Sequence, residues 1–353
     1  DWAGSSRSTD RADPFQPPLL PPPSVGRSDA SPKGWRRPGE VTTLAGRSEG
    51  ESVEEEPVPT MRVLDPGTLT DVAGISVGHW SDTHARTGCT VVVLPEPNVV
   101  AGEVRGAAPG TRETALLDPG MSVEQAHALV LSGGSAFGLA AAEGVVAALE
   151  AEGRGVATSA GPVPIVPAAV IFDLTEGEAA VRPDRESGAS AYAAATADPV
   201  PVGLVGAGTG ALVARWRDEP QPGGLGSAAV EVHGAIVAAL AVANAVGDVF
   251  DLGGRPLTGG PPIPAPLAAD LHAGEHTTLV VVATDAALGR SELGRLAVRS
   301  QDALSVCLRP AHTALDGDLT FAVSCGEREA PAVDLAEAAF IATGKAIESA
   351  LPG

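Results

Sequence analysis

Apolar residues in this chain fall into short runs separated by Gly- and Pro-rich punctuation. The most pronounced run, Leu279-Val280-Val281-Val282-Ala283-Thr284, is rich in β-branched residues and has no polar face, the pattern of a strand buried on both sides. It follows directly on Glu275-His276-Thr277-Thr278, where a Gly/Pro-rich loop from Leu252 to Gly274 ends. The same reasoning predicts strands within Asp71–Trp80, at Gly88–Leu94, from Ala101 into an irregular loop ending at Thr114, and at Ala169–Phe172. Two more are predicted at Ala228–Val232 and Ala235–Ala243, and another after Asp318. Ala128–Ser132 reads as a strand that turns through Gly133-Gly134-Ser135 into an Ala-rich helix reaching about Glu152. Further helices are predicted over Ser187–Ala197, Ser291–Leu304 and Ala332–Leu351.

Residues 1–60 break this pattern. A proline run, Pro17 to Pro23, and an acidic run, Glu49 to Glu56, cannot bury a core. They are expected to form a disordered extension that need not be native and that contains no secretory signal. Met61 opens the globular part and can serve as its natural start. Across 353 residues the formal charge is −21, which argues against nucleic acid as a partner. No stretch of about 18 strongly apolar residues predicts a membrane span. Cys89, Cys307 and Cys325 are odd in number and widely spaced, which suits a reducing, cytoplasmic location better than a disulfide framework or a metal site. Asp316-Gly317-Asp318 lacks the remaining ligands of a calcium loop, so no metal and no cofactor is expected.

Four stretches carry candidate chemistry. Thr277 and Thr278 stand where a loop meets a buried strand. Were the bond after His276 cut by the protein itself, Thr277 would gain a free α-amine with a pKa of about 8, able to act as base to its own hydroxyl. The same two residues also suit ordinary strand composition. Backbone amides at Gly133, Gly134 and Ser135 can hold an oxyanion, or the glycines can simply permit a tight join. Asn244, ending a strand, can donate its amide to an oxygen gaining charge, or form a turn. Asp316 and Asp318 can orient a nascent ammonium, or form a polar turn. His312 reads equally as a base or as a loop histidine with a structural hydrogen bond. Gly206-Ala207-Gly208-Thr209-Gly210 lacks the lysine of a phosphate loop and suits close backbone packing beside a site.

In order along the chain, Gly88-Cys89-Thr90-Val91-Val92, Gly106–Thr114, Leu131–Gly138, Val163–Pro167, Gly206–Gly210, Asn244–Gly247, Thr277-Thr278 and Arg309–Asp318 resemble the DmpA-type L-aminopeptidase/D-esterase family, which includes nylon-oligomer hydrolases. The resemblance runs from about Thr70 to about Lys345. It implies an α+β fold, a four-layer αββα sandwich in one domain over 61–353, self-cleaved into chains 61–276 and 277–353. It also implies a homo-oligomer, a tetramer of αβ units. It points to Thr277 as nucleophile, Asn244 as oxyanion donor, and Asp316 and Asp318 as acids organising the nucleophile and its amine. The implied activity is aminopeptidase or amidase, on a peptide or small amide. Three positions depart from the family pattern: His276 where Asn or Gly is common, Pro222 where a Lys precedes Gly-Gly, and Phe137 where a Tyr is frequent. Two alternatives remain at this point, an acetyltransferase on a related sandwich and a non-catalytic relative that keeps the fold.

Overall fold

A computed structural model describes residues 61–217, 219–259 and 274–352. The expected extension over 1–60 and most of the loop end preceding Glu275 lie outside these residues. Two sheets dominate. Their strands are β1 (Arg62–Val63), β2 (Ser76–Asp82), β3 (Thr87–Val93), β4 (Val99–Val104), β5 (Thr111–Arg112), β6 (Ala128–Ser132), β7 (Ala168–Val170), β8 (Gly224–Val232), β9 (Ala235–Ala243), β10 (Leu279–Ala286) and β11 (Leu319–Arg328). One sheet has the order β2-β3-β6-β7-β5 and the other β1-β8-β9-β10-β11-β4. Only β6–β7 and β10–β11 are parallel pairs within them.

Strand alternation divides the apolar side chains into three layers. Leu129, Leu131, Ala169, Leu240, Val242, Val281 and Phe321 share a core that draws on both sheets. Val280, Val282, Val237 and Ala239 project the other way, onto helices α3 (Arg290–Cys307) and α4 (Ala332–Ser349). Val91, Val130 and Ala168 of the smaller sheet pack instead with α1 (Ala141–Ala151) and with Ala191 of α2 (Arg185–Ala193). This is why Leu279–Ala283 reads as an unbroken apolar run: both faces of β10 are covered. Small residues let the layers approach closely. A Cβ on Gly226 in β8 would lie 2.0 Å from the carbonyl oxygen of Ala346 in α4.

Several boundaries differ from expectation. The segment after Gly134 begins as a 3₁₀ helix, Ser135–Ala140, and becomes α-helical only at Ala141. Asp184 caps α2 by accepting from the Ser187 amide, so that helix starts earlier than its small-residue run suggests, and it ends at Ala193. The strand after Thr277-Thr278 starts at Leu279, as its apolar run predicts, with both threonines in the approach to it. All three cysteines are free. No helix among the described residues is long and apolar enough to cross a membrane.

Candidate active site

Three neighbouring strand ends of the larger sheet create the site. β9 runs antiparallel to β10, pairing Val242 with Leu279, and two residues further along Asn244 meets Thr277. The Thr277 N–H donates to the Asn244 carbonyl at 2.7 Å. β11 lies parallel to β10 with Leu279 opposite Leu319, and an isolated bridge pairs His276 with Asp316. That register sets Thr277 across from Gly317, between the two aspartates. Thr277 is 3% exposed and Asn244 fully buried.

The peptide bond between His276 and Thr277 has a distinctive environment. The Thr277 hydroxyl donates to the carbonyl oxygen of His276, the residue before it, at 2.6 Å. The Gly317 N–H donates to the same oxygen at 2.8 Å. Two donors thus polarise one carbonyl, and one of them is also the candidate nucleophile. Gly317 has to lack a side chain here, because a Cβ would fall 2.6 Å from the Thr277 hydroxyl oxygen and 2.7 Å from the Ala108 carbonyl oxygen.

Asn244 is held by its oxygen, which accepts from the Leu212 N–H at 3.0 Å. Its Nδ2 reaches the carbonyls of Phe172 and Glu275 only at 3.5 Å each. Those long contacts leave the amide hydrogens available to a stronger acceptor.

Asp316 and Asp318 lie beside the threonines, yet neither carboxylate hydrogen-bonds to Thr277. Asp318 accepts from the Thr278 N–H at 2.7 Å and, through its other oxygen, from His312 Nδ1 at 2.9 Å. Asp316 accepts from the Thr313 amide and hydroxyl, both at 2.7 Å. Burial and then the charge of Asp318 push the Asp316 carboxyl up to about 6. His312 is fixed on its other side by the Gln301 carbonyl, 3.2 Å from Nε2. Burial pulls its proton affinity down, but the bond to Asp318 and the nearby negative charge outweigh this and the net shift is upward. It is a positioning residue for Asp318.

The Gly-Gly-Ser turn corrects one expectation. Its three amides are all spent: Gly133 on the Gly88 carbonyl at 2.8 Å, Gly134 on Asp173 Oδ1 at 2.7 Å and Ser135 on the Ile171 carbonyl at 2.9 Å. They are not free to hold an oxyanion, and the glycines serve packing. A Cβ on Gly133 would lie 2.0 Å from Asp173 Oδ2. Gly208 and Gly210 likewise allow close approach, to Leu225 and to Arg86 and Asp173. Phe137 stands exposed with the Arg182 guanidinium stacked on its ring.

One group escaped sequence reasoning. Arg215 is partly buried, with 9% of its side chain exposed, and pairs with Glu176 at 3.2 Å. Its segment is stitched to the residues after Asn244 by Ala214 N–H to the Gly247 carbonyl and Trp216 N–H to the Val246 carbonyl. Burial lowers its proton affinity, and Glu176, Glu275 and Asp173 act in the opposite direction. His276 is 1% exposed, and burial, then the Arg215 charge, lowers its imidazole to about 4. An arginine in a turn, flanked by Trp216 and Arg217, carries no local signal of such a place.

The sequence model of peptidase family S58 matches residues 67–352. The chain belongs to peptidase family S58. It is a hydrolase of peptide or amide bonds. An uncharacterized aminopeptidase of Mycobacterium leprae is 44% identical over 296 residues, covering 75% of this chain and 80% of that protein. A 6-aminohexanoate-oligomer endohydrolase of Kocuria sp. is 29% identical over 286 residues, covering 74% of this chain and 76% of its own. Among solved structures, the L-aminopeptidase D-Ala-esterase/amidase of Ochrobactrum anthropi, described as a variant of the Ntn hydrolase fold, superposes with a TM-score of 0.61. It is 19% identical, covers 81% of this chain and 86% of its own, and speaks to the fold alone.

Proposed function

We propose that this S58 peptidase is a self-processing aminopeptidase or amidase whose nucleophile is Thr277, freed by its own attack on the preceding peptide bond. The observation that carries the reading is the shared acceptor: the Thr277 hydroxyl and the Gly317 amide both bond to the His276 carbonyl oxygen, at 2.6 and 2.8 Å. In the first step a bond forms between Thr277 Oγ1 and the His276 carbonyl carbon. The C–N bond to Thr277 breaks and the hydroxyl proton passes to the departing nitrogen, leaving an ester. Water opens that ester to a His276 carboxylate and a Thr277 with free hydroxyl and amine. The products are chains 61–276 and 277–353 of a single four-layer αββα domain. Assembly of such αβ units into a homo-oligomer belongs to the same reading.

In turnover the Thr277 amine takes the proton from its own hydroxyl as that oxygen attacks a substrate amide. Asn244 Nδ2, weakly engaged at 3.5 Å, donates to the oxygen that gains charge. The amine then gives the proton to the leaving nitrogen, and water resolves the acyl-enzyme by the reverse route. Asp316 and Asp318, one residue either side of Gly317, hold the charge of the new ammonium. Substrates are N-terminal residues of peptides or small linear amides, in keeping with the M. leprae and Kocuria relatives. The test is a Thr277→Ala variant assayed on aminoacyl anilides: it stays a single chain and loses turnover. An alanine variant that still hydrolyses them overturns the reading.

A further inference from the structure

Processing leaves the acyl group of His276 on Thr277 Oγ1, and turnover places the acyl group of a substrate on the same atom. The path of the chain just before the cut therefore marks where the acyl part of a substrate runs. In the uncut chain Gly274–His276 lie alongside Leu315–Gly317 as a short parallel strand. The Gly274 N–H donates to the Leu315 carbonyl at 3.0 Å, an isolated parallel bridge pairs His276 with Asp316, and the Gly317 N–H donates to the His276 carbonyl at 2.8 Å. We propose that the backbone edge Leu315–Gly317 is the binding edge for the acyl part of the substrate, which lies on it as an added parallel strand three residues long. The enzyme then takes peptides extended on the acyl side and cuts inside them, as well as removing single N-terminal residues. This rests on the self-processing reading above and names its substrate class.

The edge has room for one strand. Its other side is occupied, since the Ala108 N–H donates to the Asp316 carbonyl at 2.9 Å and the Gly106 N–H to the Asp318 carbonyl at 3.2 Å. Across the tail stands Asn244, whose carbonyl takes the Thr277 N–H at 2.7 Å and whose Nδ2 lies 3.5 Å from the Glu275 carbonyl. A slot one strand wide thus separates Asn244 from Leu315–Gly317, with Thr277 at its inner end. Exposure falls along it, from the half-buried Gly274 and Glu275 to His276 at 1%, so the slot opens outwards on the acyl side. Departure of the tail after the cut strips the Leu315 carbonyl and the buried Gly317 N–H of these partners. Backbone groups fixed in a line bind an extended peptide through its own N–H and C=O groups, and a buried one left unpaired is costly. An enzyme confined to single N-terminal residues has no use for the Leu315 acceptor, which meets the chain two residues before the one whose carbonyl is attacked.

The probe is acetyl-Gly-Glu-His p-nitroanilide, the sequence of Gly274–His276 with a blocked amine. Glycine keeps its place in the probe because Gly274 has a φ of 83°, where L side chains are strained. In its hydrolysis Thr277 Oγ1 bonds to the histidyl carbonyl carbon as the C–N bond to the aniline breaks. The aniline nitrogen takes its proton from the Thr277 amine, and water then frees acetyl-Gly-Glu-His. The cut enzyme is expected to turn this compound over with kcat/KM at least equal to that of histidyl p-nitroanilide, and mass spectrometry to find the acetyl tripeptide intact. Glycolic acid in place of the glycine exchanges only the N–H facing Leu315 for an ester oxygen. That change should lower kcat/KM about 2- to 10-fold, the worth of one hydrogen bond. A cut enzyme whose kcat/KM for the blocked tripeptide compound falls below that for histidyl p-nitroanilide, or that takes the glycolyl compound as readily as the glycyl one, overturns this inference alone. A chain that never cuts overturns it together with the reading beneath it.

Discussion

Replacing Gly317 by alanine tests the site geometry with a single methyl group. Its φ lies outside the left-handed region, so the backbone itself tolerates a side chain. The space does not. The added Cβ would sit 2.6 Å from the Thr277 hydroxyl oxygen, 2.7 Å from the Ala108 carbonyl oxygen and 3.2 Å from the Ala108 carbonyl carbon. Ordinary van der Waals contact lies about 1 Å further out. Ala108 is tied down by its own N–H bond to the Asp316 carbonyl at 2.9 Å, so the freer Thr277 hydroxyl is the group that gives way. Overpacking of this kind costs about 1–3 kcal/mol of stability. For a domain of this size that lowers Tm by several degrees, roughly 2–4 °C per kcal/mol. Loss of attack geometry is the larger effect, since a displacement of about 1 Å slows an intramolecular attack roughly 100-fold. Intact-mass time courses on freshly purified Gly317→Ala protein read the processing rate, and far-UV circular dichroism with thermal melts reads the fold. The expected outcome is a folded precursor that persists about 100 times longer than wild type. A folded variant that processes at the wild-type rate refutes the placement of Thr277 against Gly317.

Thr277→Ser keeps a hydroxyl at the same place and should still cut and turn over, as gel fragments and anilide release would show. Asn244→Ala should lower kcat by about 10²- to 10³-fold, the usual effect of removing one oxyanion donor, with KM changed far less. The raised Asp316 carboxyl predicts a stability trend. Its folded pKa, about 6, exceeds the ordinary carboxylate value, so the folded protein binds the proton more tightly and stability falls as pH rises from about 4 through about 6. His276, lowered to about 4, acts in the opposite sense in the uncut chain, so the comparison should be made between variants. Asp316→Asn in a Thr277→Ala background should lose the Asp316 contribution, so its Tm relative to Thr277→Ala rises between pH 4 and 6.5. An unchanged difference across that range contradicts the assignment.

The sequence made the strands legible wherever both sheet faces are buried, because the apolar run then has no gap; Leu279–Ala283 is the example. It also showed the residue types of the site, since Asn244, Thr277, Asp316 and Asp318 each stand at the end of such a run. What it could not show was register. That Thr277 meets Asn244, 33 residues before it, and Gly317, 40 residues after it, follows from strand pairing that no local pattern encodes. The resemblance drew these residues together before any pairing was known. The Gly133-Gly134-Ser135 turn failed for a related reason: its composition reveals a tight join, but Asp173, which takes the Gly134 amide, lies 39 residues away. Arg215 had no local signal, and its place follows from the hydrogen bonds of Ala214 and Trp216 to Gly247 and Val246. His312 resolved in favour of a structural role because Asp318 and Gln301 occupy both ring nitrogens.

Intact-mass analysis and N-terminal sequencing of the purified, amide-hydrolysing protein test the central claim most directly. The account predicts two fragments, the smaller beginning Thr277-Thr278-Leu279. A single unbroken chain that hydrolyses amides at full rate would contradict it.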